Sequence, residues 1–326
     1  MAPGRPLADL RGADRQPRRA DGPPRHDRAG SRARGRRRRV VRLARRARRV
    51  VSSATTGRTA AAGRAALGLG VLAGIVGLWH LGVRGQWVLV FDIKMGFLPE
   101  PTEVARLLWD FAFGGVFDDA FSGTLWQHLW ASTGRVLAGF GLAAALAIPL
   151  GVLMGRYPMV NAALDPAVNL FRPIPATAWV PLVLLIIGFG SQATIFLITL
   201  SAFFPILLNT VGAVREVPPR LVEAAQMLGT SRGDVLLKVV VPAATPGIVS
   251  GLRIGLGLAW VILVLGESNG IEWGLGSMIT LAREQVRTDR VVVGMIVIGL
   301  AGFLSDRILL HGLRGIFRRR PLVRST

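Results

Sequence analysis

Cysteine is absent from the 326 residues, which excludes disulfides, zinc–thiolate sites and thiol nucleophiles. Lysine is nearly absent: Lys94 follows Ile93 and Lys238 follows Leu237. The phosphate-cradling sequence G-x-x-x-x-G-K therefore occurs nowhere, and the chain cannot hydrolyse ATP by that route. The four histidines, His26, His80, His128 and His311, are scattered without metal-ligand spacing, and each reads as an interfacial or solvated side chain. Acidic residues number 19 against 40 basic ones, and the hydrophobic runs hold almost no carboxylates. No catalytic constellation and no metal set appear, so the chain is expected not to be an enzyme. Glu267 and Glu272 flank Ser268-Asn269-Gly270, and a pair of carboxylates is one means of acid–base chemistry. At the end of a hydrophobic run they read instead as a solvated loop, or as a gate or a contact for a substrate-delivering protein.

What the chain has in abundance is apolar surface: 51% hydrophobic residues and a mean hydropathy of +0.46, beside a net charge of +21. Apolar runs of about 20 residues indicate membrane helices rather than one large soluble core. The charge is concentrated in residues 1–64, where 20 arginines less 4 aspartates give +16. That stretch cannot bury enough apolar surface to offset its ordering entropy, and it reads as a disordered cytoplasmic tail. Its arginine runs suit an anionic leaflet better than a specific nucleic acid.

From Ala65 to Leu81 runs the first membrane helix, entering from the cytoplasm because arginine is massed before it. A cleaved leader is not expected, since Gly82-Val83-Arg84 offers no small-x-small site. Residues 84–135 then lie outside, with Pro101 and Thr102 opening an amphipathic helix through Val104, Leu107, Leu108 and Phe111 along the outer interface. Val136 to Met154 forms the second span, whose Gly139, Gly141, Gly151 and Ala143-Ala144-Ala145 allow close backbone approach. Asp165 to Pro175 reads as a cytoplasmic-side or re-entrant helix ended by proline. A short third span, Ala176–Gly188, broken by Pro181, suits a position surrounded by protein. Ala193–Val214 is the fourth span, Ile248–Gly266 the fifth and Val291–Leu310 the sixth, with a polar outer connection over 267–290. Arg314, Arg318, Arg319 and Arg320 mark the return inside. The expected architecture is all-α, six spans over 65–320, both termini cytoplasmic. Arg253 and Asp306 fall near inner helix ends, where a charge pairs or snorkels. Thr199, Ser201, Asn209 and Ser250 are candidates to line a translocation path, although most such side chains in membrane helices bond their own backbone.

The most informative stretch lies between the fourth and fifth spans, at residues 215–242. Pro218 and Pro219 open a helix; Leu221, Ala224, Ala225 and Leu228 follow at i, i+3, i+4 and i+7, giving it a narrow apolar face. Gly229 takes the position past the helix end where φ > 0 is needed. Ser231 and Asp234 have capping-box spacing, so a second helix begins at Arg232 and runs to Pro242.

The order Glu223-Ala224-Ala225, Gly229, Val239, Val241-Pro242 resembles the EAA loop of the permease subunits of bacterial ABC importers, with Val239 and Val241 in place of that pattern's Ile and Leu. The resemblance extends from about Phe97 onward. It comes closest to the branch importing sulfonates, taurine or nitrate, through Phe97-Leu98-Pro99, Phe171-Arg172-Pro173-Ile174-Pro175, Phe203 to Thr210 and Arg287-Thr288-Asp289. It implies a six-span type I importer fold in a bacterial inner membrane, paired with a second permease copy. Two ATP-binding subunits, which carry the Mg-ATP, would dock at Glu223, Ala224, Ala225, Gly229, Arg232 and Pro242. An extracytoplasmic binding protein would deliver a small oxyanion. The rival reading is a transporter driven by an ion gradient, which needs functional carboxylates within its spans.

Overall fold

The computed structural model describes Gly63 and residues 66–317; the arginine-rich tail and Arg318, Arg319 and Arg320 lie outside the described residues. The chain divides after Gly74 into two units. In the first, the described residues are helical and exposed. They begin α1 (Ala66–Arg84), which is long and apolar enough to cross a membrane.

The second unit, from Ile75, is built on three helices: α3 (Leu125–Arg156), α6 (Ser191–Arg215) and α9 (Val241–Glu267). They pack side by side because small residues line their contacts. A methyl group at Gly139 would lie 2.6 Å from Ile198, and one at Gly151 2.7 Å from Thr210. In a bilayer, where lipid is as apolar as leucine, such close packing rather than water exclusion drives association. Two buried clusters result. One, toward the Glu267 end of α9, includes Val136, Leu197, Leu263, Leu275 and Met278. The other, toward the opposite end, includes Ala147, Ile206, Leu207, Val240 and Ala244. Around the three helices lie α2 (Pro101–Phe113), α4 (Pro158–Phe171), α5 (Val180–Ile186), α7 (Pro219–Met227), α8 (Arg232–Val235), α10 (Leu275–Glu284) and α11 (Thr288–Phe317). A two-stranded hairpin pairs β1 (Val88–Leu89) with β2 (Ile93–Lys94).

Five helices among the described residues are long and apolar enough to span a membrane, and six if the bent α4–α5 pair counts as one. Several boundaries differ from the hydropathy reading. The second span begins eleven residues earlier, at Leu125, because His128 and Ser132 of its first turns are buried by neighbours rather than solvated. Pro242 does not end a helix: α8 continues through a π turn over Leu236–Val240, in which Val241 N–H reaches Leu236 O, into α9. The wider turn accommodates a proline that has no N–H to donate. The third span is not a protein-surrounded helix within this chain. Its pair bends by 79°, α5 has only seven residues, and Leu185 is 83% exposed. The connection 267–290 holds a helix, α10, whose Leu275, Met278 and Ala282 are buried.

Candidate functional site

The loop between α6 and α8 folds as its residues dictate. α7 starts with Pro218 as cap and Pro219 as first residue, which costs no hydrogen bond there. It stops in a paired turn: Thr230 N–H bonds Ala225 O at 3.2 Å, Gly229 N–H bonds Gln226 O at 2.9 Å, and Gly229 has φ 76°. This is the Schellman arrangement, which needs a residue without Cβ strain at that glycine. Ser231 Oγ then accepts from Asp234 N–H at 3.2 Å and starts α8. Lys238 pairs with Asp234 at 2.8 Å.

No residue of α7 is buried. Val222 and Ala225 turn partly inward against the second cluster, so the four-residue apolar face of the sequence splits. Leu221 and Leu228 stay exposed with Met227, beside the exposed Glu223, Ala224 and Gly229, and the exposed Arg232 follows them. Among the described residues Glu223 enters no ion pair. α7 thus presents exposed apolar side chains beside an exposed carboxylate.

The candidate path residues divide differently. Asn209 Nδ2 donates to Pro205 O at 2.8 Å and Ser250 Oγ to Pro246 O at 3.1 Å. Thr199 Oγ1 donates to Ile195 O at 2.8 Å and Gly139 O at 3.1 Å. All three satisfy backbone carbonyls, two of them belonging to prolines within the helices. Ser201 reaches Leu258 O at 3.4 Å, tying α6 to α9.

Glu267 is neither solvated nor free. It is fully buried, and its carboxylate accepts from Ser132 Oγ at 2.8 Å, Arg135 Nη1 at 2.6 Å and Gly276 N–H at 2.8 Å. Arg135 also donates to Trp273 O at 2.7 Å and Ser191 Oγ at 3.0 Å. One arginine therefore ties together α3, α6, α9 and the start of α10. His128 meets Gly274 O at 2.8 Å through Nδ1, so it too is a packed side chain rather than an interfacial one. The glycines at 274 and 276 admit the carboxylate: a Cβ at Gly274 would lie 2.5 Å from Glu267.

A second charged cluster was not legible in the sequence. Arg290 is buried in contact with Asp119, lies 3.8 Å from Asp110, and stacks on Phe117 at 5.3 Å and Phe121 at 5.6 Å. Asp110 Oδ1 accepts from Val116 N–H at 2.9 Å, Phe117 N–H at 3.0 Å and Ser122 Oγ at 3.0 Å. Burial pushes this carboxyl up, but those bonds and Arg290 outweigh it and hold the group below its ordinary value. The 114–123 loop is thus wound around one buried carboxylate. Its only sequence signal is the bracketing Gly114-Gly115 and Gly123, all with positive φ.

Arg253 and Asp306 do pair, in a two-point contact of 2.7 and 3.0 Å between α9 and α11.

A helical membrane core that carries an exposed helix-turn-helix between two of its spans fits the membrane subunit of a multi-part transporter. Comparison with known proteins agrees. The model of the binding-protein-dependent transport system inner membrane component family matches residues 147–318, and the chain belongs to that family. It is 38% identical over 253 residues to the taurine transport system permease protein TauC of Escherichia coli, covering 78% of this chain and 88% of TauC. It is 38% identical over 214 residues to the bicarbonate transport system permease protein CmpB of Synechococcus elongatus, covering 65% and 75%. A chain of the MetNI methionine ABC transporter, in an inward-facing conformation, shares the fold with a TM-score of 0.50 at 24% identity, over 60% of this chain and 99% of that one. The fold is that of a type I ABC importer permease, and the chain is the permease of an ATP-driven transporter, acting with an ATP-binding subunit.

Proposed function

We propose that this chain imports a small oxyanion of the sulfonate, taurine or nitrate kind as a pair of identical copies, with two ATP-binding subunits seated on the two α7 helices. The observation that carries the docking reading is the exposed, Schellman-terminated α7, with Leu221, Leu228 and Met227 uncovered and Glu223 exposed between them. An extracytoplasmic binding protein hands over the substrate at the Glu267 end of the bundle. The α7 end faces the cytoplasm with both termini, as the arginine distribution favours. Closure of the ATP-binding subunits draws the α7 helices together and rocks the spans between two rigid states, each favoured by its own ligand. The taurine and bicarbonate permeases among its relatives support an oxyanion substrate.

A gradient-driven carrier is not favoured: the carboxylates Glu267 and Asp306 are both engaged by arginine and so are poorly placed to carry protons or ions. The test is purification of the tagged chain from its own host in mild detergent, with co-purifying proteins identified and ATP hydrolysis measured. Recovery of an ATP-binding protein that is lost on Glu223→Lys supports the proposal. A chain that comes out alone and hydrolyses nothing defeats it.

A further inference from the structure

Between α9 and α11 lies a groove of about 520 Å³, lined by Gly257, Trp260, Val261, Gly299, Gly302 and Phe303, with the Arg253–Asp306 pair at one end. Its floor is held in place, since Trp260 Nε1 donates to Ser305 Oγ at 3.0 Å. Two of its three glycines make no contact within the chain: a Cβ at Gly257 or Gly299 would meet nothing within 4 Å, while one at Gly302 would touch Trp260 at 3.7 Å. Glycine in a helix interior costs roughly 0.5–1 kcal/mol relative to alanine, so two glycines that open onto empty space shape a depression rather than a seam.

The polar end is unusual for a membrane helix pair. Arg253 remains 48% exposed and Asp306 26%, so the pair is open to a further ionic partner. Arg307 Cζ sits 4.9 Å above the ring of Phe303, which lines the groove. Two guanidinium groups against one carboxylate leave a local charge of +1. Both bonds of Arg253 to Asp306 use Nε and Nη2, which turns the Nη1 edge away from the pair.

Depth fits as well. Asp306 is 18 residues along α11 from Thr288, a rise of about 27 Å, close to the roughly 30 Å hydrocarbon thickness of a bilayer. With Thr288 at the outer face, as in the orientation proposed above on which this step rests, the ion pair lies at the inner headgroup level. From there the groove runs outward past Val264 and Ile298, about 12–16 Å into the acyl region.

We infer that this groove binds an anionic phospholipid of the inner leaflet, its phosphate on Arg253 and Arg307 and one acyl chain along Gly257, Gly299 and Gly302. Basic pockets between membrane helices on the cytoplasmic side recognise such headgroups. A second copy of the chain fits less well. A two-fold contact centred on the groove sets the same patch against itself, so concave surface faces concave surface and a net positive charge faces its twin.

The test uses the full chain, purified in mild detergent with whatever subunits accompany it, with retained lipid counted by native mass spectrometry and by extraction. It is then returned to nanodiscs containing phosphatidylglycerol or only phosphatidylethanolamine. About one phosphatidylglycerol per chain is expected, preferred over phosphatidylethanolamine by about fivefold or more for the local charge. Gly299→Leu fills the groove and removes the lipid. Arg307→Gln leaves both the groove and the Arg253–Asp306 pair intact but abolishes the preference, and it decides the matter if the leucine variant does not fold. Absence of stoichiometric lipid in the wild type, or unchanged retention in both variants, overturns the inference. Loss of a dimer in Gly299→Leu with lipid unchanged overturns it in favour of the second copy. None of these readouts requires an ATP-binding subunit, so failure here and failure of the importer reading are separate results.

Discussion

Gly229→Ala isolates the geometry of the docking turn from its surface. At φ 76° a residue with a Cβ pays roughly 1–2 kcal/mol for the left-handed conformation. The added methyl touches nothing within 4 Å, so the whole effect in the free chain is backbone strain. That strain opposes the turn in which Thr230 and Gly229 close onto Ala225 and Gln226, shifting it toward open forms by roughly 5–30-fold. The loop carries no core residues on α7, so the melting temperature of the chain should hardly move while coupling to the ATP-binding subunit falls. The assay is uptake and transport-stimulated ATP hydrolysis in proteoliposomes, beside thermal unfolding of the same preparation. Gly229→Asn is the control, because asparagine is larger than alanine yet tolerates the left-handed region. The reasoning requires asparagine to retain more activity than alanine. If loss follows side-chain size instead, with asparagine the worse of the two, the turn matters as a contact surface and the strain argument is refuted.

Glu267→Ala removes the acceptor that Ser132, Arg135 and Gly276 share, stranding a nearly buried guanidinium, and should cost about 3–5 kcal/mol, read as a large fall in unfolding temperature; a shift within error would deny the hub any role. Ser231→Ala deletes the cap of α8 and should cost about 1 kcal/mol locally, visible as faster hydrogen exchange at Asp234 and Val235 with the spans unaffected. For Asp110 the sign follows from its depressed titration: the carboxylate's contribution is complete above the ordinary aspartate value near 3.8 and is lost as pH falls through the lower folded value. Pepsin should therefore cut at Phe117 or Phe121 only at the acid end of its range in the wild type, and already at pH 4 in Asp110→Asn. Equal cleavage of the two proteins at pH 4 would contradict the assignment.

Much of this protein could be read along the chain because its strongest signals are local. A membrane span needs only an uninterrupted apolar run, which is why α1, α3, α6, α9 and α11 were all anticipated. The loop between α6 and α8 was equally legible. Two prolines, a terminal glycine and a serine three residues before an acid act through backbone groups no more than five residues away, so Pro219, Gly229 and Ser231 take their expected places. The family resemblance drew on the same stretch.

What escaped was whatever depends on which helices are neighbours. Arg290 and Asp110 lie 180 positions apart, and nothing in either surrounding stretch marks them as one buried cluster until α2 and α11 meet. Glu267 looks like the first residue of a solvated loop. Tertiary packing places α10 over it, and then burial obliges its carboxylate to find Ser132, Arg135 and Gly276. The polar residues of the spans needed no neighbours, since Thr199, Asn209 and Ser250 bond carbonyls of their own helices, as the sequence reading allowed. The glycines divide likewise: composition alone cannot separate Gly139 and Gly151, which admit a neighbouring helix, from Gly257 and Gly299, which leave a groove open. Periodicity and turn chemistry are properties of adjacent residues, whereas burial, ion pairing and the shape of a cavity are properties of surfaces that only the folded chain brings together.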